Sequence, residues 1–497
     1  MGRPPCGFSG YRAKGLPMQV NFVVHIVSMV VFGTAIAAML PMLADVISGR
    51  AEWVAFAVSA AAMGFFGGAC ILATRGERSK AISLRTAFLL TGLSWFVLPL
   101  FAALPFLDLG LSYADAIFEA TSGITTTGST VIQGLDDLPP GILLWRSILQ
   151  WIGGVGILVM AVVLLPFMRI GGAQLFRTES SDTSDKVEPR WFILMSNILL
   201  VYLFLTILCA ILYWLLGMNA FDAVCHAMAT ISTGGYSTHD ASFGYFDSRS
   251  LQWVATIFML SGAIPFYVYI KAVRGNARAF ISDSQVRALV IFLVVVSVAM
   301  AGWLSRHNHV DFGDALTLTF FNITSVVTTT GFASVDYTLW GTGAVGAFLI
   351  LTFVGGCSGS TSGAIKIYRF QVLTQVISAH IKRLTSPHRV VPTHFNGRPL
   401  PDDAAISVLA FLTMFVATIA LCTLALTFMD LDLITAYSAS VTAITNVGPG
   451  LGPVVGPAGN FSSLPDSAKL LLAFAMILGR LEIFTILVIF DRGFWKN

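Results

Sequence analysis

Charged residues are scarce in this sequence. Only 11% of the 497 residues are Asp, Glu, Lys or Arg, whereas 56% are hydrophobic. Together with a mean hydropathy of +0.80, this composition is typical of membrane proteins that cross the bilayer several times. No polar stretch is long enough to predict a separate soluble domain.

The motifs of several enzyme and cofactor classes are also missing. The six cysteines are scattered without a Cys-x-x-Cys pair, which predicts neither a disulfide framework nor a zinc site. Because there is no Walker A motif and no Gly-x-Gly-x-x-Gly between a strand and a helix, we expect no nucleotide site in this chain. Residues 359–363 imitate a hydrolase nucleophile elbow, but Thr361 takes the nucleophile position and no strand precedes it. We therefore expect no enzyme, and a polytopic membrane enzyme is the weaker alternative.

Long apolar segments predict ten membrane spans, since about 20 apolar residues cross a bilayer. The spans are 21–43, 53–74, 86–107, 143–168, 191–217, 251–272, 286–305, 341–381 with an interruption, 404–429 and 467–491. Four apolar segments are too short to span and each precedes a polar loop: 118–124, 225–231, 321–327 and 438–444. We predict an all-α polytopic protein with four pseudo-repeats of helix, re-entrant pore loop and helix around a central pore.

The predicted division of the chain follows from this recurrence. The units are an N-terminal transmembrane helix pair in 1–80 and repeats in 81–175, 186–280, 281–385 and 399–497. Their polar loops are loop 1 (125–129), loop 2 (231–235), loop 3 (328–332) and loop 4 (445–449). Each loop places two small or β-branched residues before a glycine, and the sequence suggests Gly128, Gly234, Gly331 and Gly448 as equivalents.

Four irregular loops at membrane depth need polar surroundings, because unpaired backbone groups are costly in hydrocarbon. Converging around one axis, with carbonyl groups facing an ion path, satisfies that need. Gly and Thr also mediate helix packing in membranes, which is the alternative for any single loop. Four copies at matched positions favour the pore.

The loop sequences resemble a known family. Thr-Thr-Gly-Ser, Ser-Thr-Gly-Gly-Tyr, Thr-Thr-Gly-Phe-Ala and Asn-Val-Gly-Pro-Gly are similar to the four filters of the Trk/Ktr/HKT superfamily of potassium transporters. The fourth also resembles the Thr-Val-Gly-Tyr-Gly filter of potassium channels. The resemblance covers the chain from about Asn21 onward. The potassium ligands that it implies are Thr126, Thr127, Gly128, Ser232, Thr233, Gly234, Thr329, Thr330, Gly331, Asn446, Val447 and Gly448.

The resemblance implies a function and partners as well. It implies potassium uptake across the bacterial inner membrane, with potassium as the transported ion. It further implies a homodimer in membrane lipid and a cytoplasmic TrkA-like nucleotide-binding regulatory subunit; no nucleic-acid partner is expected. Passive conduction and sodium- or proton-coupled symport both stay open. A transporter with two inverted repeats is disfavoured, because the recurrence is fourfold.

The eighth span contains a run that interrupts a helix, since each glycine costs roughly 1 kcal/mol relative to alanine. Its residues are Gly355, Gly356, Cys357, Ser358, Gly359, Ser360, Thr361, Ser362 and Gly363. Broken spans at membrane depth usually line a cavity, which makes the 355–363 segment a gate candidate. The family resemblance implies the same, with Lys366 as a supporting residue. A tight helix-packing kink is the alternative.

Arg480 lies in the otherwise apolar last span. An arginine at the bilayer centre costs about 2.5–3.5 kcal/mol on insertion scales, so it should face the interior. The resemblance places a basic residue here near the gate and the ion path. The alternative is a structural ion pair with another helix, for which Glu119 is the suggested partner.

Most of the 29 Lys and Arg residues lie in alternate connections. The first two such connections hold Arg75, Arg78, Lys80, Arg85, Arg169, Arg177, Lys186 and Arg190. By the positive-inside rule, both termini are cytoplasmic and the four polar loops open to the outside.

Overall fold

The structure is a computed structural model, and it describes residues 19–76, 83–164, 188–389, 391, 392, 394, 395, 398–400 and 402–495. The predicted basic connections at 77–82 and 165–187, and the chain before residue 19, lie outside the described residues.

The apolar N-terminal stretch forms three helices, α1 Val20–Ala37, α2 Met39–Ile47 and α3 Trp53–Ala73. They pack closely, because a Cβ on Gly67 of α3 would lie 3.0 Å from the Ser28 carbonyl oxygen of α1. The buried Asp45 links α2 to the start of the helix at Pro140–Leu164, since its carboxylate accepts a hydrogen bond of 2.6 Å from the Gly141 backbone N–H. By length and composition, α1 and α2 together make one candidate span, Val20–Ile47, and α3 makes a second.

Each repeat consists of a long helix, a short helix ending in a polar loop, and a second helix that follows the loop. Repeat 1 has α4 Leu84–Ala102, α5 Tyr113–Ile124 and α6 Pro140–Leu164. Repeat 2 has α7 Glu188–Leu215, α8 Ala220–Ile231, α9 Arg249–Ala263, α10 Phe266–Val273 and α11 Ala279–Ser282. Repeat 3 has α12 Ser284–Asn308, α13 Phe312–Val327, α14 Thr342–Leu351 and α15 Ile367–Thr385.

Repeat 4 follows a two-stranded hairpin of β1 His394–Phe395 and β2 Arg398–Pro399, which pair antiparallel. It has α16 Asp402–Thr427, α17 Leu433–Thr445, α18 Asp466–Arg480, α19 Ile483–Phe490 and α20 Arg492–Trp495. Short 3₁₀ segments lie in the connections at Leu104–Leu109, Leu135–Asp137, Ser242–Tyr245 and Tyr337–Trp340. The predicted all-α polytopic fold is confirmed.

The four short helices begin in the same way. A side chain at each N-cap accepts a hydrogen bond from a backbone N–H in the first turn, which satisfies a donor that the helix itself leaves unpaired. The capping residues are Ser112, Asn219, Asp311 and Asp432. Each short helix is therefore fixed at its start and enters its polar loop at its carboxyl end.

Seven helices in the described part of the chain are long and apolar enough to cross a membrane, and two bent pairs bring the number to nine. α9 and α10 meet at 96°, and α18 and α19 meet at 105°. The predictions of unbroken spans at 251–272 and 467–491 are therefore wrong. Pro265 accounts for the first bend, since it supplies no backbone donor; at the second, Glu482 adopts φ +55°.

The interruption of the eighth span is longer than predicted. α14 ends at Leu351 and α15 begins at Ile367, so the irregular backbone extends beyond 355–363 on both sides. Neither helix of this pair qualifies as a span by length and composition among the described residues.

Candidate functional site

The four polar loops share one backbone conformation. Within two residues of the end of each short helix, a residue other than glycine has a left-handed φ, a conformation that L-residues seldom adopt. These residues are Thr126 at 53°, Thr233 at 53°, Thr329 at 58° and Asn446 at 57°. Two positions later, each loop has a glycine with positive φ: Gly128 at 90°, Gly235 at 79°, Gly331 at 87° and Gly448 at 95°.

Backbone hydrogen bonds give the same alignment of the loops. In each loop the residue before the positive-φ glycine donates its N–H to a carbonyl five positions earlier. These donors are Thr127 (2.8 Å), Gly234 (2.9 Å), Thr330 (2.8 Å) and Val447 (3.2 Å). The sequence-based equivalence of Gly234 with Gly128 is therefore wrong. Gly235 is the equivalent glycine, and Gly234 stands where the other loops have threonine or valine.

The loops close into a ring. A Cβ built on Gly128 would overlap the carbonyl oxygen of Gly234, and one on Gly235 would overlap that of Thr330. A Cβ on Gly331 would overlap the carbonyl oxygen of Val447. The contact that completes the ring is from Gly448, whose Cβ would lie 2.7 Å from the Thr127 carbonyl oxygen. Only glycine fits at these four contacts, because a side chain there would push the adjacent loop away.

The ring is electrostatically suited to a cation. The carboxyl ends of four helices, α5, α8, α13 and α17, meet at it, and each carries about half a negative charge. Neutral carbonyl oxygens from all four repeats lie at the same place. A dehydrated monovalent cation is the species that such a group of dipoles favours.

A buried charged network supports the ring on the side where the short helices begin, which we call the cap side. Arg146 of α6 donates from Nε to Glu119 at 2.9 Å, and both side chains are at most 1% exposed. The guanidinium also donates to the Ser237 carbonyl oxygen at 2.8 Å and to Thr130 Oγ1 at 3.3 Å. Glu119 in turn accepts from the Val131 N–H at 3.0 Å. The segments that follow loops 1 and 2 are thus tied to one ion pair.

Tyr236 and Gln150 extend this network to the backbone of the loops. The Arg146 guanidinium lies 4.1 Å from the centre of the Tyr236 ring, and the Tyr236 hydroxyl donates to the Glu119 carbonyl oxygen at 2.9 Å. Gln150 donates to the Gly234 carbonyl oxygen at 2.6 Å. Sequence reasoning did not select Gln150 or Tyr236 as a site residue, because these hydrogen bonds reach backbone 84 and 117 residues away.

The cap side also has a histidine that lies between two carboxylates. His239 Nδ1 lies 2.5 Å from Asp136 and Nε2 lies 3.1 Å from Asp222. The hydrogen bond to His239 holds the pKa of the Asp136 carboxyl below its ordinary value. His226 beside it is buried and bonded to the Asp222 carbonyl oxygen and to Ser237 Oγ, each at 2.9 Å. His226 is therefore a buried packing residue with both ring nitrogens bonded.

The 355–363 segment lies against the opposite side of the ring, which we call the break side. Gly363 donates its N–H to Thr329 Oγ1 at 2.7 Å, and Ser362 Oγ lies 3.2 Å from the same hydroxyl. Thr361 Oγ1 donates to the Ile231 carbonyl oxygen at 3.1 Å and lies 3.3 Å from Thr233 Oγ1. The segment therefore contacts the left-handed residues of loops 2 and 3 directly.

Lys366 and the start of α15 hold the end of this segment. Lys366 donates from Nζ to the Ser362 carbonyl oxygen. Arg369 is 4% exposed, forms an ion pair of 2.7 Å with Glu482 at the bend between α18 and α19, and lies over the Phe411 ring. The 355–363 segment is thereby linked to the bend of the last span.

Arg480 is the last residue of α18 and is 4% exposed. Its Nε and Nη2 atoms have no hydrogen-bond partner among the described residues. Tyr202 and Lys366 are within electrostatic range of it. The suggested ion pair between Arg480 and Glu119 is wrong, because Glu119 is bonded to Arg146 and to the segment after loop 1.

These features define a class of protein, namely a multi-pass helical membrane protein with four repeats around a cation-favouring ring. Residues 54–493 match the family model of TrkH, described as a cation transport protein. The chain belongs to the TrkH family.

Curated relatives agree with this assignment. The chain is 48% identical over 414 residues to the Trk system potassium uptake protein TrkI of Halomonas elongata, covering 82% of this chain and 84% of that protein. It is 35% identical over 489 residues to the Trk system potassium uptake protein TrkH of Vibrio parahaemolyticus, covering 97% of this chain and 100% of that one.

A solved structure is similar as well. The crystal structure of the potassium transporter TrkH from Vibrio parahaemolyticus superposes with a TM-score of 0.89 at 33% identity. The match covers 96% of this chain and all of that one. The architecture with four repeats is therefore shared with that transporter over nearly the whole length.

Proposed function

We propose that this chain takes up potassium across the bacterial inner membrane through the ring formed by loops 1 to 4. The observation that supports this most directly is the closed succession of loop contacts, which places carbonyl oxygens and four negative helix ends at one point. The names of the relatives, Trk system potassium uptake proteins, point to the same ion.

Potassium suits such a ring better than a divalent ion does. Mg²⁺ gives up water reluctantly and usually keeps part of its hydration shell, so neutral carbonyl groups replace its ligands poorly. Potassium is weakly hydrated, and a carbonyl ring can substitute for its water. The filter ligands of the proposal are the twelve residues named from the sequence, together with Gly235.

We further propose that the 355–363 segment is the gate and that Lys366 and Arg480 support it. The segment lies directly on the break side of loops 2 and 3, and its contacts there are hydroxyl and backbone hydrogen bonds that can be exchanged for water. Arg480, whose Nε and Nη2 atoms have no hydrogen-bond partner among the described residues, is within electrostatic range of Lys366 and adds positive charge, which opposes a cation.

The orientation and the partners complete the proposal. Lys and Arg in alternate connections favour cytoplasmic termini and a cap side that faces outward. A cytoplasmic nucleotide-binding subunit of the TrkA kind would act on the 355–363 segment through α15, and two copies of the chain would form the unit in the membrane.

Flux into proteoliposomes tests the proposal. Purified protein should give potassium uptake that exceeds sodium uptake, with no dependence on an added substrate. If potassium uptake collapses when the sodium or proton gradient is removed, the coupled symport alternative replaces passive conduction. Equal passage of sodium and potassium, or no cation flux with or without a regulatory subunit, would contradict the proposal.

A further inference from the structure

Gln150 is the one polar side chain among the described residues that bonds to a ring carbonyl from a neighbouring helix. It lies in α6 and is fully buried. Its Nε2 donates to the Gly234 carbonyl oxygen at 2.6 Å, and its Oε1 accepts from the Tyr236 N–H at 3.0 Å. One amide group of repeat 1 thus pairs with two backbone groups of repeat 2, as a neighbouring strand would.

This contact explains the departure of loop 2 from the other loops. A Cβ on Gly234 would lie 2.6 Å from Gln150 Oε1 and 2.8 Å from Gln150 Nε2. Real side chains do not pack at such distances, so a side chain at position 234 would require the Gln150 amide to move from its two hydrogen bonds. The equivalent residues of the other loops, Thr127, Thr330 and Val447, have β-branched side chains.

The helices after the loops show the matching difference. Gln150 lies ten positions after the first residue of α6. Ten positions after the first residues of α9, α14 and α18 are Met259, Thr352 and Met476, and Thr352 directly follows the last residue of α14. The alignment is supported by the glycines that recur three positions further on, Gly153, Gly262, Gly355 and Gly479. Among these four positions, a long amide side chain therefore occurs only next to the loop that has no β-branched residue directly before its positive-φ glycine.

We infer that Gln150 is a positioning residue for selectivity. Its amide group occupies the space where a side chain of residue 234 would lie, and it fixes the orientation of the Gly234 carbonyl group. The inference rests on the proposed potassium function of the ring. In the other loops a β-branched residue restricts the backbone. Loop 2 has two consecutive glycines, which are the least restricted residues. The two hydrogen bonds of Gln150 supply the restriction from outside the loop.

Removing the amide should reduce discrimination rather than abolish passage. In Gln150→Met, which copies the residue found in α9 and α18, the Gly234 carbonyl and the Tyr236 N–H both lose their partner. The carbonyl can then turn to suit a smaller ion. We expect the potassium-to-sodium flux ratio to fall about tenfold, as for loss of a buried hydrogen bond. Potassium flux itself should change less than this ratio.

An exchange of both residues tests the inference against a merely structural role. Gly234→Thr alone should be defective in selective potassium flux, because Gln150 occupies the space of the new side chain. Gln150→Met combined with Gly234→Thr recreates the arrangement of the other loops and should recover most of the ratio lost in Gln150→Met. Ser147→Ala is the matched control, since Ser147 is buried in the same helix and bonds to the Leu143 carbonyl oxygen and to the Cys225 side chain.

Flux ratios of the four variants in liposomes, normalised to folded protein by gel filtration, decide the matter. A normal potassium-to-sodium flux ratio in folded Gln150→Met would overturn the inference. A double variant whose flux ratio is no higher than that of either single variant would also overturn it. Absence of selective potassium flux in the unchanged protein would instead contradict the proposed function.

Discussion

The two sides of the ring are held by different chemistry. On the cap side, loops 1 and 2 continue into segments bonded to a fully buried ion pair, Arg146 with Glu119, which has five further hydrogen bonds around it. On the break side, the 355–363 segment contacts loops 2 and 3 through hydroxyl groups and backbone N–H groups. Breaking a buried ion pair leaves a charge without compensation, whereas a neutral hydroxyl contact costs less to break. This difference supports the proposal that the cap side is rigid and that the 355–363 segment moves.

The comparison also extends to the helices that follow the loops. Gly153 in α6 lies against the Ile124 carbonyl oxygen inside a continuous helix, and its counterpart Gly355 lies in irregular backbone. The same repeat position therefore serves as a close packing contact in repeat 1 and as the start of the 355–363 segment in repeat 3.

The largest expected effect is on the cap side. Arg146→Ala should lower the free energy of unfolding by about 3–5 kcal/mol, because Glu119 is left buried without its partner. Thermal unfolding in detergent measures this. Arg249→Ala is the control: its pair with Asp314 is exposed, so its removal should change stability by less than about 1 kcal/mol. Similar losses in both variants would contradict a rigid cap side.

On the break side, the corresponding change should raise activity instead. Arg480→Ala should increase potassium flux in the absence of a regulator, since a unit charge at about 6 Å and an effective dielectric near 20 repels a cation by roughly 3 kcal/mol. Water in an ion path screens this repulsion, so we expect an increase of ten- to a hundredfold.

Arg480→Lys separates two roles of this residue. Two of its guanidinium nitrogen atoms have no hydrogen-bond partner in the described part of the chain. If Arg480 acts only by charge repulsion, the lysine variant keeps that charge and should have nearly normal flux. A leak in Arg480→Lys would indicate that the guanidinium anchors the 355–363 segment. Arg480→Ala protein that is folded, selective and no faster than the unchanged protein would rule out a barrier role.

Between the two sides, a substitution in the ring itself should reduce selectivity several-fold. The new Cβ in Gly128→Ser overlaps the Gly234 carbonyl oxygen, so loop 2 must shift and the potassium-to-sodium flux ratio should fall. Gly134→Ser is a suitable control, because Gly134 also has a positive φ of 71° but has no atom within 4 Å of the new Cβ. Equal flux ratios for the two variants would show that backbone strain, and not ring contact, matters.

The smallest expected effect concerns pH. The pKa of Asp136 is lowered by its hydrogen bond to His239, so the stability it contributes is present above its ordinary pKa of 3.8 and is lost as the pH falls through the lowered value. The difference in unfolding free energy between the unchanged protein and Asp136→Asn should be below about 1 kcal/mol at pH 7, because the carboxylate is half exposed to water. A difference that grows on acidification would contradict this linkage.

The sequence by itself determined the class of fold, the four repeats and the position of the interruption in the eighth span. These follow from local properties: apolar length, N-cap residues and runs of glycine act on their own segment of the chain. For the same reason the recurrence of Thr and Gly in the four loops was sufficient to indicate a common site.

The tertiary structure alone decided which residues meet. It assigned Gly235 rather than Gly234 to the ring, because the choice between two adjacent glycines depends on backbone dihedral angles and contacts with another loop. It gave Glu119 to Arg146 instead of Arg480, since a charged residue is paired according to distance in space. It also bent two spans that hydropathy predicts as continuous, because hydropathy reports burial in the membrane and not the direction of the chain.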